Sequence, residues 1–212
     1  QYQFLSSHYD SAISIHIPKK LSGTFQSAVT ASKTVSNFPI EVSDSINGSV
    51  GMGLVAMSAA EAVQDGKNFN EVCKILENAI NNTTIYIGFD KLDNVVKGGR
   101  ISHTVKKIAN FFRINPIITF KEEGIKTIGI TFGNNNKADK FKKFAESKIP
   151  KNQNFRVGIA HTQMKKFASK WSKDLQKRFG DDNVVLTEVG PALGVHSGPG
   201  SLIFAIQTLD DN

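Results

Sequence analysis

With Cys73 as its only cysteine, the chain can form neither an internal disulfide nor a cysteine-rich metal site, which fits a reducing compartment. No apolar run approaches the roughly 20 residues that a membrane-spanning helix needs. Gln1 to Asp10 lack the basic-then-apolar layout of a signal peptide, so the expectation is a soluble, cytoplasmic protein. There is no G-x-x-x-x-G-K-[ST] phosphate loop and no G-x-S-x-G nucleophile elbow. His8, His16, His103 and His161 have no metal-like spacing, which argues against zinc. Acidic residues are the scarcer charge: 26 Lys and Arg against 19 Asp and Glu give a formal +7 and a pI near 9.4. That excess suits nucleic acid, anionic lipid or an acidic protein, and the abundance of Lys, Asn and Ile is equally what an AT-rich genome would encode.

What is present is enough for a core. At 212 residues and 40% hydrophobic content, one large domain or two small ones are both open. Ile13, Ile15 and Ile17 alternate with Ser14 and His16 as in a strand that Pro18 stops. Ser22-Gly23-Thr24 then leads into a helix from Phe25 to Val35, and Ile40 and Val42 mark a second strand. Gly48 to Val63 reads as a glycine-rich turn feeding a helix apolar nearly all round and therefore buried. Asn68 and Glu71 have capping-box spacing ahead of Val72, Ile75, Leu76 and Ala79.

The pattern changes after Asn81-Asn82, the expected domain boundary. A strand over Thr83 to Phe89 and a short helix from Leu92 to Val96 precede Gly98-Gly99. Ile101 to Phe112 reads as a basic amphipathic helix, with Lys106, Lys107 and Arg113 beside Phe111 and Phe112, a pattern open to a lipid surface, nucleic acid or plain solvent. Pro116 to Phe120 and Ile125 to Phe132 form a hairpin pattern. A helix with Phe141 and Phe144 follows, then a strand from Phe155 to Ile159. A helix from Thr162 to Phe179 sets Phe167, Trp171 and Leu175 on one face and ends at Gly180. His161 before it reads as a capping or surface group, and Cys73 and Trp171 as core. A strand over Val184 to Val189 is followed by the most unusual segment of the chain, Gly190 to Gly200, and a final apolar run from Leu202 to Ile206.

Three segments put polar side chains among glycines: Leu21-Ser22-Gly23-Thr24, Gly98-Gly99-Arg100-Ile101-Ser102, and Gly194-Val195-His196-Ser197-Gly198-Pro199-Gly200. Glycine lets the backbone approach a ligand closely, and hydroxyl, guanidinium and imidazole donors together suit a carboxylate. A helix start adds a dipole favouring negative charge. Each residue also has a plainer reading: Ser22 as an N-cap, Arg100 as a turn residue, His196 as a structural histidine. By themselves these signals describe an anion-binding α/β protein.

The segment Ile15 to Ala28, containing Leu21-Ser22-Gly23-Thr24-Phe25-Gln26-Ser27-Ala28, resembles the bacterial DegV family's strand and SGT-aromatic-QSA helix. Asp44-Ser45 with Gly51-Met52-Gly53, then Phe89-Asp90 with Leu92 and Gly98 to Ser102, then Gly194 to Gly200, are similar in the same order to the family's serine-methionine-glycine, GGRIS and GTHTGPG segments. The resemblance implies two α/β domains with a ligand cleft between them. Residues 1–82 would be the C-terminal part of a first, Rossmann-like, parallel-sheet domain, and 83–212 a second α/β domain. The family's N-terminal portion, with its DS and TSQPS-like motifs, has no counterpart here, so the first domain is expected to lack its N-terminal part. Val50 and Met52 depart from the family's glycine segment and are expected to reshape an acyl tunnel.

By the same resemblance the ligand is a long-chain fatty acid held by Ser22, Gly23, Thr24, Arg100, His196 and Ser197, with Ser197 standing where threonine is usual. The implied role is that of a non-catalytic, cofactor-free acyl-carrier subunit of a fatty-acid kinase in bacterial phospholipid metabolism. A separate kinase would handle ATP, and transient contact with anionic membrane, not nucleic acid, would be a further partner. Two alternatives remain: a stand-alone hydrolase using Ser22 or His196, and a nucleic-acid-binding module favoured by charge alone.

Overall fold

The computed structural model describes residues 1–101, 114–133 and 135–209, and it is an α/β fold. The expected basic helix, from residue 102 onward with Lys106, Lys107, Phe111, Phe112 and Arg113, lies outside the described residues, as does Ser102.

A short helix α1 (Tyr2–Ser6), unforeseen from the sequence, precedes β1 (Ala12–His16), α2 (Thr24–Ser32) and β2 (Ile40–Asp44). β1 and β2 pair in parallel, Ala12 opposite Ile40 and His16 opposite Asp44. The long helix α3 (Ser49–Gln64) and α4 (Phe69–Asn81) follow. α4 starts on a full capping box: Asn68 Oδ1 accepts from the Glu71 N–H at 3.1 Å, and Glu71 Oε2 accepts from the Asn68 N–H at 2.8 Å, a motif whose cap contributes about 1 kcal/mol.

The remaining elements form a six-stranded mixed sheet in the order β5-β4-β3-β8-β6-β7. Its strands are β3 (Thr83–Gly88), β4 (Ile114–Lys121), β5 (Gly124–Phe132), β6 (Phe155–His161), β7 (Val184–Glu188) and β8 (Leu202–Thr208). The hairpin β4–β5 is antiparallel with a bulge near Ile117, and β6 and β7 are parallel. Helices α5 (Asp93–Lys97), α6 (Lys137–Glu146), α7 (Lys165–Phe179) and α8 (Pro191–Ser197) flank it, with a 3₁₀ turn at Asp181–Asn183. α8 lies within the unusual segment Gly190 to Gly200, for which the sequence pattern predicts no helix. Its Pro191 sits in the first turn, where a missing N–H costs nothing, while its glycine content hides it from helix propensity.

The two faces of this sheet bury different chemistry. Trp171, Phe141 and Phe204 pack with Ile117, Leu175 and Ile159 beneath α6 and α7. On the other face Val50 and Leu54 of α3 join Ile85, Ile87, Val95 and Val96 in a mostly aliphatic cluster. α3 comes close there because β6 offers Gly158, where a Cβ would stand 2.3 Å from Val50 Cγ2. α3 is not buried all round: Leu54 faces the sheet and Val55, Ala59 and Ala62 face α4, but Val63 is 61% exposed. Arg156, on β6 and 5% exposed, fastens the same helix. Its guanidinium donates to Glu61 Oε1 at 2.6 Å, Ser58 Oγ at 2.7 Å and Gln207 Oε1 at 2.6 Å, so the buried charge is paired and bonded.

Candidate functional site

α2 begins at Thr24 with Gly23 as its N-cap, and the half-buried Ser22 accepts the Thr24 N–H on its Oγ at 3.3 Å. Ser22 therefore partly has the plain capping role, from one position before the N-cap. Gly23 and Thr24 are exposed.

Arg100 follows Gly99, whose φ of +73° reverses the chain after α5. The exposed guanidinium turns back onto the α2 loop: Nε donates to the Leu21 carbonyl at 3.2 Å, while Nη1 donates to the Gly98 carbonyl. Gly98 in turn is where the His196 ring lies, because a Cβ there would stand 2.2 Å from His196 Nδ1. That Nδ1 is inaccessible to solvent and has no hydrogen-bond partner among the described residues. Contacts thus run from Leu21 through Arg100 and Gly98 to His196, bringing together three segments that lie far apart in sequence.

Ser197 is buried and points elsewhere. Its Oγ bonds Thr162 Oγ1 at 3.1 Å and its carbonyl accepts from Ser201 Oγ at 2.5 Å, tying the end of α8 to the end of β6. The two later glycines of that segment also have packing duties. Gly198 (φ +72°) would bring a Cβ within 2.8 Å of Asn94 Nδ2, and Gly200 (φ +79°) within 2.7 Å of Asp90 Cβ. Sequence reasoning missed Thr162 and Asn94, because no spacing links them to the motifs they support, whereas Asp90 belongs to one of the motifs itself.

The polar loops form the rim of the aliphatic cluster. α5 carries Val95 and Val96 into it just before Gly98, and α8 sets Leu193 against it just before His196. Side chains suited to an anion therefore stand at the edge of a buried aliphatic core. A separate cavity of about 710 Å³ lies near the opposite end of α3, lined by Ser58, Glu61, Asn78, Arg156 and Gln207, and none of the six expected ligand residues lines it.

Two expectations are corrected. His161 is neither a cap nor a surface group: it ends β6 between β7 and β8 and is only 3% exposed, with Nδ1 lacking a partner among the described residues. Strand pairing, which its neighbours' sequence does not reveal, buries it. Cys73 is half-buried beside Glu41 instead of in the core, and burial, then the Glu41 carboxylate, push its thiol pKa up. No group of three or more potential ligands that could hold a metal occurs among the described residues, and no helix among them is long and apolar enough to cross a membrane.

Comparison with known proteins settles the lineage. A family model described as an uncharacterised protein of the DegV family matches residues 2–208. The chain belongs to the DegV family. Among DegV relatives, a DegV domain-containing protein of Staphylococcus aureus (strain MRSA252) is 29% identical over 201 residues, spanning 95% of this chain and 72% of that protein. A crystal structure described as DegV, a fatty acid binding protein from Bacillus subtilis, is 25% identical with a TM-score of 0.83, over 98% of this chain and 74% of that one. A DegV family protein from Eubacterium eligens, described as loaded with heptadecanoic acid, shares the fold at 20% identity and a TM-score of 0.79, over 94% of this chain and 74% of that one.

Proposed function

We propose that this DegV protein holds a long-chain fatty acid between the parts formed by residues 1–82 and 83–212, taken as its two domains, and presents the carboxylate to a separate kinase for acyl-phosphate formation. The observation that carries the reading is the contact path Leu21–Arg100–Gly98–His196 at the rim of an aliphatic cluster. It matches an amphipathic ligand with one anionic end, and the S. aureus and B. subtilis relatives supply the family context in which the B. subtilis protein is described as binding fatty acid.

In this reading Arg100 supplies charge to the carboxylate, and the His196 ring, seated on Gly98 through its Nδ1 side, supplies a hydrogen bond. Ser22 with Gly23 and Thr24 brings a hydroxyl to the start of α2, and Ser197 acts by holding α8 against Thr162. The protein itself makes or breaks no covalent bond; it orients one carboxylate oxygen for transfer by its partner.

Native mass spectrometry followed by denaturing extraction and lipid analysis tests the ligand class. The expected result is a co-purifying fatty acid near one per chain, sharply reduced in Arg100→Ala. A protein that is isolated empty and refuses added fatty acids would overturn the reading. Transfer of label from ATP to the bound acid, dependent on an added fatty-acid kinase, tests the presentation step.

A further inference from the structure

The cavity of about 710 Å³ at the far end of α3 plays no part in the fatty-acid reading. Its Glu61 stands about 16 Å along the helix from Val50, which belongs to the aliphatic cluster. The volume falls within the roughly 300–1,000 Å³ typical of small-molecule sites. Both halves of the chain build it: α3 and α4 supply Ser58, Glu61 and Asn78, while β6 and β8 supply Arg156 and Gln207.

The floor of the cavity is fixed. Arg156 commits Nε to Gln207, Nη1 to Glu61 and Nη2 to Ser58. Gln207 Oε1 also accepts from Ser58 Oγ at 3.1 Å, and its Nε2 donates to Thr83 Oγ1 at 2.9 Å. A buried guanidinium is a costly fastener for a helix, since well-packed apolar side chains of similar volume serve as well or better. What the charge adds is a polar floor whose groups are already held in place, the condition under which a site binds without first being ordered.

The rim, by contrast, is uncommitted. The amides of Asn78, Asn82 and Gln153 line the cavity and make no side-chain hydrogen bond among the described residues. The Glu61 side chain is 53% exposed and offers Oε2 beyond the oxygen that Arg156 holds. Its described charged residues balance, Glu61 and Asp65 against Arg156 and Lys67. One wall is apolar, formed by Ile75, Ala79 and the edge-to-face pair Phe155 and Phe179, whose centroids lie 5.1 Å apart.

We propose that this cavity is a second ligand site, separate from the fatty-acid site, and that it takes a neutral polyhydroxylated molecule of mono- to disaccharide size. Every hydroxyl both donates and accepts, so a row of them is served by a lining that mixes carboxylate, guanidinium and amide groups. An anion would meet Glu61 and Asp65, and a cation would meet Arg156 and Lys67, whereas a neutral ligand meets no net opposing charge. A hydrocarbon would leave the amides and the carboxylates unpaired. The apolar wall suits the C–H face of a sugar ring. The inference does not rest on the fatty-acid reading.

Saturation-transfer NMR of the protein as isolated, against a panel of neutral monosaccharides and disaccharides at millimolar concentration, tests the proposal. At least one should bind, and Asn78→Trp, which fills the cavity from an exposed position of α4, should weaken it more than about tenfold. Gln153→Leu, also at an exposed position, should weaken it by a few fold, about what one hydrogen bond contributes. Thermal melting of both variants establishes that they fold. Added oleate should leave the sugar signal unchanged. A panel with no binder, equal binding to Asn78→Trp, displacement by oleate, or preference for a sugar phosphate or a nucleoside over every neutral sugar would overturn it. Fatty-acid content read on the same samples keeps the two ideas apart, since an empty protein that binds sugar defeats only the fatty-acid reading.

Discussion

The two faces of the six-stranded sheet solve different problems. Under α6 and α7 the core is aromatic: Trp171 stacks on Phe204 with centroids 5.1 Å apart, and Phe141 and Phe167 meet it edge-on at 6.2 and 6.3 Å. Under α3, α5 and α8 the core is chiefly aliphatic and is bordered by loops that glycines allow to pack within van der Waals reach of one another. Large rings maximise buried area and lock one arrangement, whereas aliphatic side chains at a polar rim match a flexible hydrocarbon with a charged end. In the proposed function, stability and recognition fall to opposite sides of the same sheet.

That division can be broken by substitution, and stability costs should fall in an order that ligand retention reverses. Trp171→Ala removes the side chain at the centre of the aromatic face and the indole bond to Glu146; it should cost about 3–5 kcal/mol by denaturant unfolding, while molecules that remain folded keep their fatty acid. Glu61→Ala leaves the buried Arg156 guanidinium without its ion pair. Because Glu61 itself is half-exposed, about 1–3 kcal/mol is expected, and a loss below the lower figure would show that Ser58 and Gln207 suffice.

Gly98→Ala sharpens the comparison from the other side. The Gly98 backbone, at φ −70°, tolerates alanine, but the new methyl collides with His196, so about 1–2 kcal/mol should be lost along with most fatty-acid retention. Retention equal to wild type would mean that the His196 position does not matter to the ligand. Arg100→Ala, at an exposed residue, should change stability by no more than about 0.5 kcal/mol while emptying the protein of fatty acid. A large stability loss instead would recast Arg100 as a clamp on the Leu21 and Gly98 carbonyls.

Periodicity and punctuation located β1, α2, β2, α4, the β4–β5 hairpin and α7 nearly as the structure has them, because alternation, capping and turns are settled within a few residues. α1 and α8 escaped, being five and seven residues long, too short for a periodic signal. Of the site, Ser22, Arg100 and His196 were recognisable as polar residues among glycines, and ordered motifs pointed to the DegV family. Their supporting residues Thr162 and Asn94 were not, nor was the burial of His161, since each depends on a partner distant along the chain.

The sequence by itself determined the local elements, the family, the candidate anion-binding side chains and an excess of positive charge. Only the tertiary structure decided that the Leu21 carbonyl, Arg100, Gly98 and His196 meet at one rim, that Arg156 spends its charge fastening α3, and that polar groups from both halves of the chain line one cavity. The reason is physical: secondary structure follows from short-range sterics and hydrogen bonding that a window of residues contains, whereas a site or a cavity is a juxtaposition created when separate elements bury their apolar sides together.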